Sequence, residues 1–187
     1  MGNVVLFLFG WKKAGSLPKY RNVIVIAAPH TSNWDFVFLI AAASSFGFSI
    51  NWLGKDSLFR TPLAPLFRML GGIPVDRSKA GNLVETLTRR IKEDKGVAIV
   101  VPPSGTRERT DYWKSGFYRI AESAKIPIVC GYLDYRKKEA GLGPTFFTTS
   151  LHQDMSRLRD FYSDITAKYP LQKSRIRLKD EDKPASA

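Results

Sequence analysis

Short apolar runs alternate with longer helical patterns along most of the chain, and this alternation constrains the fold more than any other feature. The strand-like runs cover residues 22–29, 50–54, 73–76, 97–102, 126–133 and 144–150. Helical patterns lie between and after them, at residues 33–46, 56–70, 80–94, 112–124 and 153–168. This alternation predicts a single α/β domain whose central, largely parallel sheet is flanked by helices. A length of 187 residues fits one domain with one core.

The charge balance indicates an anionic partner. The chain carries 29 Lys and Arg against 17 Asp and Glu, a formal net charge of +12. Nucleic acid, an anionic membrane surface and a phosphate-bearing substrate would each fit this charge. The basic residues are spread along the chain, and no zinc-finger spacing or ribonucleoprotein-type aromatic motif accompanies them. We therefore expect no nucleic-acid partner and keep the other two.

The first apolar run is followed by a histidine and an aspartate five positions apart, His30 and Asp35. His30 is expected in the turn at the carboxyl end of a strand, where α/β proteins place their sites. Ser32 or Asn33 can cap the next helix, which puts Asp35 in the first turn, within reach of the imidazole. An aspartate bound to one ring nitrogen leaves the other free to accept a proton. The pair therefore has the composition of a general base without a built-in nucleophile, although such a spacing also arises by accident.

Cysteine and histidine are too scarce for disulfide or zinc chemistry. Cys130 is the only cysteine, so no intrachain disulfide is possible and a reducing compartment is expected. It lies in an apolar run, which favours a buried structural thiol over a nucleophile. With only His30 and His152 available, we expect no metal site.

Three further segments accompany the histidine motif, at residues 71–77 (Gly-Gly-Ile-Pro-Val-Asp-Arg), 103–107 (Pro-Ser-Gly-Thr-Arg) and 126–129 (Ile-Pro-Ile-Val). In this order and spacing, the four segments resemble the sequence blocks of the glycerolipid acyltransferase family, typified by 1-acyl-glycerol-3-phosphate acyltransferase. The resemblance spans about residues 22–132. It implies a glycerol-3-phosphate acyltransferase-like fold, which we assign to residues 16–178.

The resemblance also implies a reaction. A fatty acyl group would pass from acyl-CoA or acyl carrier protein to the free hydroxyl of a lysophospholipid, with lysophosphatidic acid expected first and phosphatidic acid as product. His30 would be the catalytic base and Asp35 its orienting partner. The acceptor's own hydroxyl would attack the thioester, so neither an acyl-enzyme nor a metal or redox cofactor is expected. The chain agrees in offering no Gly-x-Ser-x-Gly nucleophile signature.

Basic residues that follow predicted strands are candidates for gripping the acceptor phosphate. By the resemblance, Arg77 and Arg107 would bind the glycerol phosphate part, and Lys55 would assist. A guanidinium matches phosphate oxygens in a bidentate way, whereas lysine acts as a mobile point charge. The expected substrate-binding set is completed by the third block and comprises Lys55, Arg77, Ser104, Gly105, Thr106 and Arg107.

The third block departs from the family pattern. It usually reads Glu-Gly-Thr-Arg, whereas this chain has Ser104 before Gly105, Thr106 and Arg107. A hydroxyl in place of a carboxylate removes a charge and an acceptor that can take two donors. Three interpretations stay open: transfer to lysophosphatidic acid, transfer to another lyso-lipid such as an ornithine-type one, or a weakly active lipid-binding relative.

The two ends of the chain differ in composition: the amino-terminal segment is apolar and aromatic, and the carboxyl-terminal segment is charged. No apolar run reaches the roughly 18–20 residues needed to cross a bilayer. Residues 1–15 are a candidate interfacial membrane-binding segment, with the Trp11 ring at headgroup level and Lys12 and Lys13 on anionic lipid. The alternative is a first element packed on the core. These features predict peripheral association with the cytoplasmic face of the membrane. Residues 179–187 are expected to be a disordered tail.

The stretch at 56–70 is apolar but interrupted by Pro62 and Pro65. Core packing is the default interpretation. The alternative is one wall of an acyl-chain channel or a membrane-facing surface, since a fatty chain needs such side chains. The residues concerned are Phe59, Leu63, Leu66, Phe67, Met69 and Leu70.

Overall fold

The computed structural model describes residues 2–75, 80–93 and 96–182. Its strands are β1 (Lys12–Gly15), β2 (Val23–Ala27), β3 (Asn51–Lys55), β4 (Gly72–Val75), β5 (Ala98–Val101), β6 (Ile128–Asp134) and β7 (Glu139–Phe146). Its α-helices are α1 (Gly2–Leu8), α2 (Trp34–Phe46), α3 (Ala64–Met69), α4 (Ala80–Glu93), α5 (Gly116–Ala124) and α6 (Leu151–Ser163).

The described strands form one sheet in the order β1-β7-β6-β2-β5-β3-β4. Every neighbouring pair is parallel except β6 and β7, which run antiparallel. The predicted α/β class with a largely parallel central sheet is therefore confirmed.

Strand β2 lies at the centre because both of its faces are apolar. Ile24 is aligned with Ile99 of β5 on one side and with Ile128 of β6 on the other, and all three are fully buried. A parallel strand covered on both faces reads as a continuous β-branched run, which is the pattern that predicted it.

Helices cover both faces of the sheet. Val25, Val100 and Val129 pack towards α2 and α3 on one face. Ile24, Ile26 and Ile99 pack towards α4, α5 and α6 on the other. Because His30 follows β2 directly, it lies at the carboxyl edge of the sheet, as the sequence predicts.

The amino-terminal segment is built into this core. Helix α1 packs on α2, and β1 pairs in parallel with β7. Leu6 and Trp11 are buried, and the Trp11 ring stacks on Phe38 at 4.3 Å between centroids. The prediction of a Trp11 ring at headgroup level is therefore wrong, because Phe38 offers the indole an apolar partner inside the protein. The exposed apolar side chains of α1 are Val4, Phe7 and Leu8.

Several element boundaries differ from the sequence prediction. Strand β1 was not predicted, and β7 spans Glu139–Phe146 rather than residues 144–150. The expected helix at 56–70 is divided into a 3-10 helix (Asp56–Arg60) and α3. The division falls at Pro62, since proline lacks the backbone N–H that an α-helix interior needs, whereas Pro65 lies in the first turn of α3, where that N–H is not required.

The expected disorder of residues 179–187 is wrong for the part that the structure describes. Residues Lys179–Asp182 form a 3-10 turn. Asp180 pairs with Arg119 of α5 at 3.2 Å, and Glu181 pairs with Arg159 of α6 at 2.8 Å. These charge pairs hold the turn against the helices. Residues 183–187 lie outside the described residues.

Among the described residues, no helix combines the length and the apolar character that a bilayer crossing requires.

Candidate active site

The two residues of the histidine motif meet as their spacing predicts. His30 Nδ1 lies 3.1 Å from Oδ2 of Asp35. An ionised carboxylate only accepts hydrogen bonds, so Nδ1 carries the proton, which leaves Nε2 as the ring nitrogen that can accept one in the neutral imidazole. The His30 side chain is 24% exposed and Asp35 only 6%, which leaves the imidazole accessible while its partner is covered.

The carboxylate of Asp35 is held by four donors. Oδ2 accepts from the backbone N–H groups of Thr31 and Ser32, at 2.8 and 2.9 Å, and from His30. Oδ1 accepts from the hydroxyl of Tyr135 at 2.6 Å. Burial acts to raise the pKa of Asp35, but these hydrogen bonds outweigh it and hold that pKa below its ordinary value. Asp35 is therefore an ionised, fixed partner for the imidazole at neutral pH.

Tyr135 is the site residue that the sequence did not reveal. It follows β6 and is not among the predicted site residues. Asp134, the last residue of β6, is fully buried, and the Tyr135 ring makes a T-shaped contact with the Trp11 ring at 4.9 Å between centroids. Burial and the bond to Asp35 raise the pKa of Tyr135, so its hydroxyl stays protonated and donates. No local signal identifies it, because its partner lies 100 residues earlier.

The loop after β5 brings Arg107 to the same place. The guanidinium of Arg107 donates from Nη1 to the Oδ1 atom of Asn33, which lies between His30 and Asp35 in the chain. The loop turns tightly, since the N–H of Gly105 donates to the carbonyl of Pro102 at 3.0 Å. Gly105 has a φ of +67°, a left-handed conformation that favours glycine.

Ser104 is placed differently from its neighbours. Its hydroxyl donates to the carbonyl oxygen of Thr106 at 2.7 Å, and the residue is 6% exposed. The side chain therefore stabilises its own loop. It borders a void of only about 10 Å³ that His30 and Trp113 also line.

A cavity of about 620 Å³ opens beside His30 on the α2 face of the sheet. Its polar lining contains much of the predicted site, namely His30, Asp35, Lys55, Gly105, Thr106 and Arg107. Ser104 is not part of this lining. Lys55 enters the site because it ends β3, whose carboxyl end shares the sheet edge with β2. Arg77 lies outside the described residues.

The rest of the cavity is apolar. Helix α2, strand β3 and the segment between them contribute to this lining, and the apolar residues include Phe36, Leu39, Ala43, Phe46, Phe48, Ile50, Trp52, Leu58 and Phe67. The stretch at 56–70 thus divides among the predicted roles. Phe59 is buried in the core, Phe67 lines the cavity, and Leu63, Leu66 and Met69 are exposed.

Neither a reactive thiol nor a metal cluster accompanies the histidine motif in the described residues. Cys130 is fully buried, as predicted, and burial raises the pKa of its thiol to about 12. Such a thiol is not a nucleophile at neutral pH. Within the described ranges, no group of three His, Cys, Asp or Glu side chains is arranged to hold a metal ion.

Comparison with known proteins assigns the family. The Acyltransferase family model matches residues 12–133, well over half of the chain and a range that includes both the histidine motif and Arg107. The chain belongs to the acyltransferase family.

A solved structure has the same architecture. The chain is similar to the 1-acyl-sn-glycerophosphate (LPA) acyltransferase PlsC from Thermotoga maritima, with a TM-score of 0.55 and 20% sequence identity. The match covers 88% of this chain and 73% of that protein. At this identity the likeness shows the fold. Among curated proteins, none matches the chain significantly.

Proposed function

We propose that the protein transfers a fatty acyl group from a thioester donor, acyl-CoA or acyl carrier protein, to the free hydroxyl of a lysophospholipid. Lysophosphatidic acid is the first choice of acceptor, with phosphatidic acid as product. One observation carries the proposal: the His30–Asp35 pair lies at the polar end of a cavity that is otherwise apolar. That arrangement fits an alcohol and the thioester of a fatty chain.

The geometry supports a direct transfer. Nε2 of His30 takes the proton of the acceptor hydroxyl as its oxygen attacks the thioester carbon. The carbon–sulfur bond then breaks, and the leaving thiolate takes the proton from the imidazolium. Asp35 keeps the imidazole in the required tautomer and stabilises its positive charge. No redox or metal step is needed to balance this reaction.

Cations close to the pair support an acceptor that carries phosphate. Arg107 is held beside the motif through Asn33, and Lys55 reaches the same cavity from β3. We assign the phosphate to the Arg107 guanidinium, with Lys55 in a supporting role. Arg77 is proposed as a further phosphate ligand on the family resemblance alone.

The apolar part of the cavity suits the acyl chain. Side chains of α2 and β3 line it, and Ala42 and Ala43 keep it open where larger residues would fill it. An alkyl chain in this space would remove apolar surface from water at roughly 25 cal/mol per Å². Binding of the chain would therefore place the thioester carbon at the polar end.

The membrane is the proposed source of the lipid substrate. Val4, Phe7 and Leu8 of α1 are 60%, 82% and 73% exposed. The ring of Phe9 lies 5.6 Å from that of Trp34, which is next to Asp35 in the chain. We call Val4, Phe7, Leu8, Phe9 and Trp34 the N-terminal apolar surface. We propose that this surface, with exposed Lys12 and Lys13 nearby, docks on the anionic cytoplasmic face of the membrane.

An assay of the purified protein tests the reaction. Lysophosphatidic acid and a panel of other lyso-lipids, including an ornithine-type one, are offered with acyl-CoA and with acyl carrier protein. We expect His30→Ala to lower kcat by about 10²–10⁴, as commonly follows loss of a general base. The matched control is His152→Ala, which removes the exposed histidine of α6. Unimpaired turnover by folded His30→Ala protein would exclude the mechanism.

The acceptor panel also separates the alternatives left by Ser104. Transfer to the ornithine-type lipid alone would replace lysophosphatidic acid in the proposal. Binding of lyso-lipids without turnover of any of them would indicate a lipid-binding relative.

Sedimentation with anionic vesicles tests the membrane contact. Phe7→Asp and Leu8→Asp should each weaken co-sedimentation, because they introduce charge into the N-terminal apolar surface. Thr86→Asp is the control, since it adds the same charge on the exposed face of α4, across the sheet. Equal loss with all three variants would show that only net charge matters.

A further inference from the structure

A second cavity lies on the other face of the sheet. It measures about 1280 Å³ and lies between α4 and α5, over the ends of β3 and β5. Its apolar lining includes Leu83 and Val84 from α4 and Phe117 and Ile120 from α5. We call this space the α4–α5 groove. The reaction proposed above leaves it without a role.

The α4–α5 groove and the active-site cavity share lining residues, two of them at the loop after β5. Leu53, Pro102 and Gly105 line both spaces. Gly105 is two residues before Arg107 and lines the cavity that contains His30. A molecule lying in the groove would therefore end beside the reacting atoms without occupying the acyl-chain cavity.

A cation lies beside the lining that the two spaces share. An added Cβ atom at Gly105 would come within 2.9 Å of the Lys114 Nζ atom, so this ammonium group rests directly on the loop. The segment is anchored there, because the N–H of Lys114 donates to the carbonyl of Pro103 at 2.8 Å. Further cations line the groove, namely Arg89, Lys92, Arg119 and Lys179, against Glu85, Glu93 and Asp180. The lining therefore favours an anionic ligand.

The groove also contains a polar atom whose bonding is incomplete. The Thr88 hydroxyl is shielded from solvent and has no hydrogen-bond partner among the described residues. Thr88 is on the groove lining of α4. A buried hydroxyl without a partner is costly, and a polar group of a ligand in the groove would relieve this cost once the Thr88 side chain turned its hydroxyl towards the groove.

We propose that the α4–α5 groove binds the phosphopantetheine arm of the acyl donor. This inference rests on the proposed function, in which the acyl chain occupies the other cavity and the leaving thiol must extend elsewhere. The arm is long and narrow, carries amides for a buried hydroxyl, and ends in a phosphate for the basic lining. Coenzyme A and acyl carrier protein share this arm, so the groove serves either donor. Lys114 lies close to the end of the arm that carries sulfur.

Binding of free coenzyme A, measured by calorimetry without acceptor, tests the inference directly. Val84→Trp fills the groove and should weaken binding at least tenfold. Thr86→Trp, two residues away on the exposed face of α4, should leave binding unchanged. Lys114→Ala alters an exposed side chain rather than the core, and should also weaken binding, whereas Lys19→Ala should not. Wild-type affinity in both folded groove variants would overturn the inference.

Further measurements compare the two donors and separate a failure of the groove proposal from a failure of the proposed reaction. Val84→Trp should weaken the binding of acyl carrier protein that carries its phosphopantetheine arm, but not the binding of acyl carrier protein that lacks the arm. An equal loss of affinity for both forms would contradict the inference. His30→Ala should retain coenzyme A binding, since the base is not part of the groove. If Val84→Trp protein binds coenzyme A normally but no longer binds lysophosphatidic acid, the groove belongs to the acceptor and the inference is overturned. If that variant transfers acyl groups at the normal rate, the groove does not bind the donor arm, and the proposed reaction is unaffected.

Discussion

The hydroxyl of Tyr135 donates a 2.6 Å hydrogen bond to Oδ1 of Asp35, the oxygen that His30 does not use. The two oxygens of Asp35 are therefore fixed by different parts of the chain. One is held by its own loop, and the other by the residue that follows β6. Because Trp11 packs on the Tyr135 ring, the N-terminal segment contributes to the position of the carboxylate.

Tyr135→Phe should lower kcat about 3- to 10-fold while the Michaelis constants of both substrates stay unchanged. The variant removes one hydrogen bond, worth about 0.5–1.5 kcal/mol, and leaves the carboxylate less firmly oriented. Steady-state kinetics measure the effect.

Tyr118→Phe is the control for that experiment. The Tyr118 hydroxyl donates to Asp154 at 3.0 Å, a comparable buried bond away from the site. Both variants should lose stability, but only Tyr135→Phe should lose kcat. A similar loss of kcat in both would mean that Tyr135 acts through stability alone.

Asp35→Asn should change how the free energy of unfolding depends on pH. The pKa of Asp35 is lower in the folded protein than its ordinary value of 3.8, so the unfolded chain binds more protons between the two values. The carboxylate therefore stabilises the fold fully above about pH 4, and this contribution is lost as the pH falls through the folded pKa. Urea denaturation of both proteins should show a stability gap that narrows in acid. A constant gap would contradict the argument.

Arg107→Ala should raise the Michaelis constant of the acceptor far more than that of the donor. A charge-assisted contact is worth roughly 1.5–3 kcal/mol, which corresponds to a loss of about 10- to 100-fold in kcat/KM. Arg109→Ala is the matched control, since Arg109 is exposed and is not among the residues that line the cavity. If only donor kinetics change, Arg107 serves the donor instead.

Ser104→Glu should destabilise the protein rather than improve transfer to lysophosphatidic acid. The Ser104 hydroxyl is buried against its own loop, and the adjacent void of about 10 Å³ is too small for a larger, charged side chain. Overfilling a packed site commonly costs about 1–3 kcal/mol. Thermal unfolding measures this loss, with Ser104→Ala as the smaller change. Higher activity at unchanged stability would show that a carboxylate is accommodated and that this loop adapts.

Local patterns predicted the centre of the sheet well. The run from Val23 to Ala27 and its partner β5 are apolar on both faces, so burial alone determines their structure. His30 and Asp35 were also predictable, because a strand end and a helix start within one short loop bring their side chains together. Such contacts are determined by neighbours in the chain.

The edges of the sheet and the remote contacts were not predictable in this way. Strand β1 reads Lys-Lys-Ala-Gly and has no apolar alternation, so only its pairing with β7 makes it a strand. Tyr135 and the pairing of Arg107 with Asn33 depend on which loops the sheet order places side by side. Ser104 lies in the predicted loop, but the direction of its side chain follows from the turn.

The sheet ends on both sides in strands that resist adding a further strand. At one end, the four-residue β1 carries Lys12 and Lys13, whose exposed charges would repel an identical edge. At the other end, β4 contains Pro74, which has no N–H to offer. A chain shortened to begin at residue 16 would lose the first of these barriers and expose β7, whose eight residues offer a much longer edge. Aggregation through strand pairing is the expected fate of such a shortened protein.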